Sequence, residues 1–506
     1  MANLLTLPLE LLVYISSFVS TSDLAALRLT CKQTEKSLYE WFAEEFFAKK
    51  QFMLTQPSLQ VLLDISRHVS LSKRLKHLII ATNVYDDIPI RFRDSDAYSR
   101  SVNLHPWRHE RVLMMYRSYM QGHADQQALL NNGVDREMLT EIFKGLTNLE
   151  TIDVRDFCAK RERDGTYWAS WGATTVEKET GVRLRESYRG TGSQSRFVSR
   201  LFSNLLYAMG VAGRTPPRFE VLLRQKPTGL PDSAFHLPIF TFPAVEPVLK
   251  DLKVLFLTLN LSDMTAHIHH TYSGGTPVGT MSGRSLRHFL SCTPNLTHLR
   301  LNFQRFHVAD NKDFMAWLAK SPTPDPKPPR PARISIEEPS PVSLPNLKAL
   351  ELGTLDVHRD SLLAIVQRFA PRLQHLSLWR MTIDAGLPGP YDPKPNIWSQ
   401  LFKGLASIPE LDLKYLKVGL LSQSHHTVRF GPETGNKQRP ETTREHSGKG
   451  MEKFVESLAN DVVVEWPPEI VMGSDGSNSD DDEDMHDEDE EEDEEEDDDE
   501  NSDDDA

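Results

Sequence analysis

Cysteine is scarce. The three in 506 residues, Cys31, Cys158 and Cys292, stand far apart with no CxxC or CxxxC pair. That excludes a disulfide framework, argues against a cysteine-ligated zinc, and fits a reducing compartment, cytoplasmic and/or nuclear. No apolar run approaches the eighteen residues of a membrane helix, and no charged-then-apolar leader opens the chain, so neither a membrane contact nor a secretory signal is expected. Also missing are GxxxxGK[ST], GxSxG, HExxH and a strand-coupled GxGxxG, the signatures of phosphate cradle, nucleophile elbow, zinc hydrolase and dinucleotide fold. His267, His269 and His270 have only Asp263 for carboxylate company, which reads as a polar loop, and His425-His426 fares no better. No catalytic residue, cofactor or metal is therefore expected.

Basic residues are missing from one region altogether. Of the 72 Asp and Glu residues, 23 lie from Asp475 onward, where there is no Lys or Arg. The formal charge of −15 thus hides a body, residues 1–474, in which 49 acidic residues meet 57 basic ones, about +8. From Gly473 onward the chain has nothing to bury and is expected to be disordered. Residues 431–506 read as a polar linker and acidic tail, with a short helix at Met451–Leu458 and an extended patch at Val462–Val464. Such a tail can bind histones or other basic proteins, or simply aid solubility.

What is present starts with residues 1–50, which read as three helices. Pro8 suits a first helical turn and Thr6 a cap. Leu9, Leu12, Ile15 (or Ser16) and Val19 recur at helical spacing, while Leu5, Leu11 and Phe18 widen the apolar arc beyond what one core face needs. Thr21 or Ser22 caps the second helix, with Asp23 in its first turn and Leu24, Leu27 and Cys31 on one face. The third runs from about Thr34 to Lys50, with Leu38, Phe42 and Phe46 aligned and Trp41 and Phe47 beside them. So short a unit has a thin core, and its surplus apolar surface calls for a partner or a neighbouring domain. It carries no cluster of reactive side chains, so it reads as a docking module.

Leu7-Pro8, Glu10, Leu11-Leu12, Ile15, Phe18, Asp23-Leu24, Leu27-Arg28, Cys31-Lys32 and the pair Phe46-Phe47 make this stretch resemble the F-box. The resemblance implies docking on the Skp adaptor of SCF (Skp–cullin–F-box) ubiquitin ligases and, through it, on a cullin. It further implies that Leu7, Pro8, Leu11, Ile15, Leu24 and Leu27 build or support the adaptor-facing surface. Without the resemblance, the same helices read as an ordinary cap on the domain behind them.

Residues 51–430 repeat. The template L-x-x-L-x-L-x-x-N is met at Leu252, Leu255, Leu257 and Asn260. Looser copies begin at Leu75, Leu149, Leu296, Leu347, Leu373 and Leu413, and Phe219–Leu222 reads as a hidden one. Helical patterns fall between them, over Glu137–Leu146, Phe197–Met209, Ser285–Ser291, Asp313–Lys320, Leu362–Ala370 and Ile397–Leu405. Strand then helix means a parallel α/β arrangement. The expected fold class is α/β: a three-helix F-box, then an irregular leucine-rich-repeat solenoid with long insertions, then the acidic tail. The pattern is similar to fungal F-box proteins with such repeats. Strands scattered through another α/β fold are the competing reading.

Three insertions, 84–133, 155–200 and 321–345, are expected on loops, where binding residues concentrate. The first holds a helix-like run from Pro106 to Gln121. The second offers Arg183, Arg185, Arg189, Arg196 and Arg200, whose guanidinium forks suit an anion or a target protein, with Trp168 and Trp171 nearby. A solvated loop is the plainer reading, and nucleic acid is not expected. The third is proline-rich, a spacer or a groove ligand at Lys327–Arg330. The expected function is substrate recognition for an SCF ligase, with an unknown target protein on the repeats. The alternatives are a Skp-bound scaffold without ubiquitin transfer, or an acidic-tailed binder of histones or other basic nuclear proteins.

Overall fold

Alternation of leucine with polar residues gives a strand two faces, and the leucine face must be covered. The computed structural model describes residues 7–85, 94–101, 109–158, 170–184, 193–224, 229–261, 283–303, 308–322, 339–384, 394–431 and 441–466. In it every leucine template falls on a strand of one sheet: β2 (His77–Ala81), β3 (Thr151–Arg155), β5 (Val254–Leu259), β6 (His298–Phe303), β7 (Ala349–Gly353), β9 (His375–Trp379) and β11 (Tyr415–Gly419). The strand suspected at Phe219–Leu222 is β4 (Arg218–Leu222). β1 (Lys49–Met53) precedes them, and β14 (Thr443–Ser447) closes the ten-stranded sheet antiparallel to β11. All other neighbours are parallel and follow chain order. A doubly wound sheet would reverse its order part-way; this one does not.

The leucine pairs face one way. Leu255 and Leu257, Leu299 and Leu301, Leu350 and Leu352, and Leu376 and Leu378 are all buried. At about 1.5–3 kcal/mol per buried side chain, this stripe is the main cohesive term. Helices cover it: Phe202 of the helix Ser193–Val211 meets Phe219 at 5.4 Å between ring centres, and Phe314 of the helix Val308–Ala319 meets Phe303 at 5.8 Å. After β7, β9 and β11 a non-glycine residue takes positive φ: Thr354 (55°), Arg380 (50°) and Leu420 (51°). Each turns the chain into a buried Leu355, Met381 or Leu421 and a two-residue strand, β8 (Asp356–Val357), β10 (Thr382–Ile383) or β12 (Ser422–Gln423). These pair with each other, with β13 (His426–Phe430) and, beyond it, β15 (Val462–Val464) in a second, five-stranded sheet.

Several expectations shift. The three amino-terminal helices are α1 (Leu9–Ser17), α2 (Thr21–Leu29) and α3 (Lys32–Phe47). Pro8 occupies the cap position rather than the first turn, and Thr6 lies outside the described residues. Ser20, not Thr21 or Ser22, caps α2: its Oγ accepts the Asp23 N–H at 3.1 Å. Ser20→Ala should therefore destabilise α2 by about 1 kcal/mol, seen as a lowered thermal midpoint. α3 stops at Phe47, because Lys49 and Lys50 already belong to β1, so the helical module is slightly shorter than fifty residues.

The described residues of the first two insertions are largely helical. They fold into α6 (Ser95–Ser101), α7 (His109–Asn131) and α9 (Ala173–Thr180), and the Ser193–Val211 helix, α10, starts within the second. Their shared core is Tyr85, Tyr98, Val112, Tyr119, Val176 and Leu184, packed on Met53 of β1. Tyrosines and a long helix buy nothing on a loop; here they cover the first strand. Most of the third insertion, 323–338, lies outside the described residues, but its base is fixed. Trp317 Nε1 donates to the Pro339 carbonyl at 2.8 Å, and Arg368 donates to the carbonyls of Leu318 and Val342. The linker assigned to residues from 431 also moves: β14, the helix Met451–Asp461 and β15 extend the folded unit, which comprises residues 1–465. Among the described residues no helix is long and apolar enough to cross a membrane.

Candidate functional site

The amino-terminal helices bury little. Leu12, Leu24, Leu38 and Phe46 form their core, with Val13, Val19, Leu27, Trp41, Phe42 and Phe47 packed at its margin. Arg28 covers the Phe42 ring, its guanidinium 3.5 Å from the ring centre. Cys31 caps α3, its Sγ accepting the Thr34 N–H at 3.4 Å; the Thr34 hydroxyl 3.1 Å away and then that N–H lower the thiol pKa.

What remains outside is apolar. Along α1, Leu9 and Leu11 are each 50% exposed, Tyr14 63% and Ile15 43%, and Phe18 just beyond its end 73%; Leu29 at the end of α2 is 86% exposed. Tyr14 on α1 and Phe18 at its C-cap, four residues apart, meet edge to face at 4.9 Å. A small unit exposing this many large apolar side chains on one helix is built to be covered.

Residues 4–37 match the F-box domain.

F-box domains typically bind the Skp adaptor, and the matched span contains all of these exposed residues, Leu29 included. No curated protein matches the chain. Of the six residues assigned to the adaptor-facing surface, Pro8, Leu11 and Ile15 are exposed, and Leu7 and Leu27 are half-buried. Leu24 is fully buried and supports the surface from within. The row also includes Tyr14; of the expected core stripe Leu9, Leu12, Ile15 (or Ser16) and Val19, Leu12 and Ser16 are buried and Val19 packs at the margin, while Leu9 and Ile15 are exposed. Nothing in the spacing of α1 distinguishes these registers, because both faces are apolar.

The F-box is fixed to the body behind it. The Ala48 carbonyl accepts the N–H groups of Lys76 and His77, each at 2.9 Å, and Arg74 of α5 (Leu71–Arg74) bonds Glu40 and, at 3.1 Å, Glu44 of α3. A partner held on α1 is thereby held at a set position relative to the sheet.

The sheet face away from the leucines is a second candidate surface. Near β3 it carries Asp153, fully buried, bonded by His77 at 3.2 Å and by Arg155. Burial would raise the Asp153 pKa, but Arg155 and His77 outweigh it and hold it below the ordinary carboxylate value. Near β7, Glu351 accepts from His298 and, at 2.7 Å, from Arg300, with His375 at 3.9 Å. There too burial is outweighed, and Glu351 is held down at about 2. His375 stacks on Tyr415 at 4.1 Å; burial lowers its pKa and raises that of Tyr415. Sequence spacing could not reveal these groups, since strands far apart in the chain bring them together.

Three members of the arginine series are among the described residues. Arg183 and Arg196 are exposed, Arg185 and Arg189 lie outside the described residues, and Arg200 bonds the fully buried Asp135 at 3.1 Å. Asn204 completes that carboxylate at 2.8 Å, so Arg200 ties α10 to α8 (Val134–Gly145). Trp171 adds a bridge to β1: its N–H donates to the Gln51 carbonyl and its carbonyl accepts the Met53 N–H. Trp168, His267, His269, His270 and the acidic tail lie outside the described residues. Among those described, no group of three His, Cys, Asp or Glu could hold a metal ion. None of the three cysteines is in a disulfide, and burial pushes the Cys292 thiol up to about 11.

Proposed function

We propose that the chain is the substrate-recognition subunit of an SCF ubiquitin ligase. The observation that carries this reading is the exposed row Leu11, Tyr14, Ile15 and Phe18 within the matched F-box. The Skp adaptor covers that row, a cullin joins through the adaptor, and the body behind holds a target protein. The body is read as an irregular leucine-rich-repeat solenoid; the recurrence of one strand-and-turn unit at 347–357, 373–383 and 413–423 supports this. The chain supplies no reacting group. It accelerates ubiquitin transfer by proximity, holding the target near a charged conjugating enzyme in the cytoplasm and/or nucleus.

The test is co-purification of the full-length chain with the Skp adaptor and a cullin, followed by ubiquitin transfer in the reconstituted complex. All three proteins should elute together. Failure to retain the adaptor would sink the reading. Retention of the adaptor without a cullin would instead mark a scaffold that takes no part in transfer.

A further inference from the structure

The edge of the sheet where the strands begin carries a row of side chains in strict register. The residue just before each strand bonds through its N–H to the carbonyl of its counterpart on the previous strand: Thr297 to Lys253 at 2.8 Å, Lys348 to Thr297 at 2.8 Å, Gln374 to Lys348 at 2.8 Å and Lys414 to Gln374 at 2.7 Å. From β5 to β11 the row therefore reads Lys253, Thr297, Lys348, Gln374, Lys414. Every member can donate a hydrogen bond and none is a carboxylate. The three lysines are exposed, and no described carboxylate pairs with them. Asp251 and Asp412 stand two residues earlier, before the buried Leu252 and Leu413, and bond to neither neighbouring lysine.

The next row inward repeats the pattern. His298 lies on β6 between the strands of Lys253 and Lys348, and His375 lies on β9 between those of Lys348 and Lys414. Both imidazoles are partly exposed, 24% and 33% at the side chain. The carboxylate beneath them, Glu351, is already engaged by His298 and Arg300. Lys417 is likewise matched by Glu445 at 3.9 Å. The three lysines of the row are unmatched by any bonded carboxylate, and the exposed Asp251 and Asp412 flank the row two residues earlier.

Strands are about 4.8 Å apart, so successive lysines, two strands apart, are separated by roughly 10 Å. An extended chain advances about 3.1 Å per residue in the polyproline conformation, so its every third side chain recurs at about 9 Å on one edge. We propose that this edge binds an extended segment of the target protein bearing Asp or Glu side chains three residues apart, laid across the strands. This rests on the reading of the body as a target-binding surface, and it names the chemistry of what is bound.

The test uses the full-length chain and fluorescein-labelled twelve-residue peptides, followed by anisotropy. One peptide carries Glu at every third position. A second has the same composition with its Glu residues contiguous, a third has Gln for Glu, and a twelve-nucleotide single-stranded DNA serves as the other polyanion. The spaced peptide should bind best and weaken as salt rises from about 50 to 300 mM. The variant K253Q/K348Q/K414Q should lose about tenfold in affinity, the sum of three exposed contacts. A variant carrying K403Q and K453Q, exposed lysines on the covering helices, should bind as the parent does. Unchanged binding by the triple variant, equal binding of the contiguous peptide, or tighter binding of the DNA would each overturn the proposal. Capture of the Skp adaptor by the triple variant is measured alongside. It should be unaffected, so a failure of the peptide assay is separable from a failure of the receptor reading.

Discussion

Leu11→Asp combined with Ile15→Asp should abolish capture of the Skp adaptor while leaving the chain folded. Both side chains are exposed, 50% and 43%, so in the free protein neither substitution removes core packing. Changes at such positions usually alter stability by no more than about 0.5 kcal/mol. Asp at position 11 even lies in the first turn of α1, where the helix dipole favours an anion. In the complex the same two carboxylates would be buried against an apolar partner without counter-charges. Losing two central apolar anchors and burying two unpaired charges costs on the order of 4 kcal/mol, about a thousandfold in affinity. The control is Leu24→Asp. Leu24 is fully buried between the helices, so that variant should lose the helical module itself, with a drop in helical signal as well as in capture. Adaptor titration and thermal denaturation on the same samples separate the two. Retained binding by the folded double variant would remove the exposed row as the docking surface.

The contrast between Leu11 and Leu24 also marks how far the sequence could be read. Strand positions were legible because alternation has a period of two and only one face is leucine-rich; Leu255, Leu299, Leu350 and Leu376 all lie where the template put them. α1 was not legible to the same degree. With apolar residues around most of its circumference, the spacing left Ile15 or Ser16 open beside Leu9 and Leu12 as core; Leu12 and Ser16 are the buried pair, and Leu9 and Ile15 are exposed. The insertions were misread for a different reason. Their tyrosines, Tyr85, Tyr98 and Tyr119, pack on one another and on β1 across stretches with no regular repeat, so only the tertiary fold shows that they make a core. The helix α11 (Phe242–Asp251) was not expected; it carries Pro243 in its first turn and Pro247 in its interior, where proline normally breaks a helix. The lysine row needed the register of five strands before it became a row at all.

Glu351→Gln should destabilise the folded chain by on the order of 3 kcal/mol at neutral pH, with the loss confined to conditions in which a carboxylate would be ionised. Glu351 is 12% exposed at the side chain and lies among His298, Arg300 and His375. Burial opposes its charge, but the His298 hydrogen bond and the Arg300 guanidinium prevail and hold its pKa at about 2, against an ordinary 4.5. The folded value is the lower one, so the unfolded chain binds the proton more tightly. The stabilisation is complete above about pH 4.5 and is lost as pH falls through 4.5 toward 2. At about 1.4 kcal/mol per pKa unit, that difference amounts to the stated 3 kcal/mol. Gln preserves the shape and can still accept a hydrogen bond, but it leaves Arg300 without its counter-charge beside a partly buried histidine pair. Urea denaturation of parent and variant at several pH values reads the effect directly. The gap between them should be largest at pH 7 and narrow below 4.5. His375 contributes separately and at higher pH: burial holds its folded pKa below 6.5, so stability declines as pH falls below that value. A gap that stays constant from pH 7 to 3 would mean that Glu351 acts through packing alone, and the rib of charge across β6, β7 and β9 would lose its role in holding the open face of the sheet.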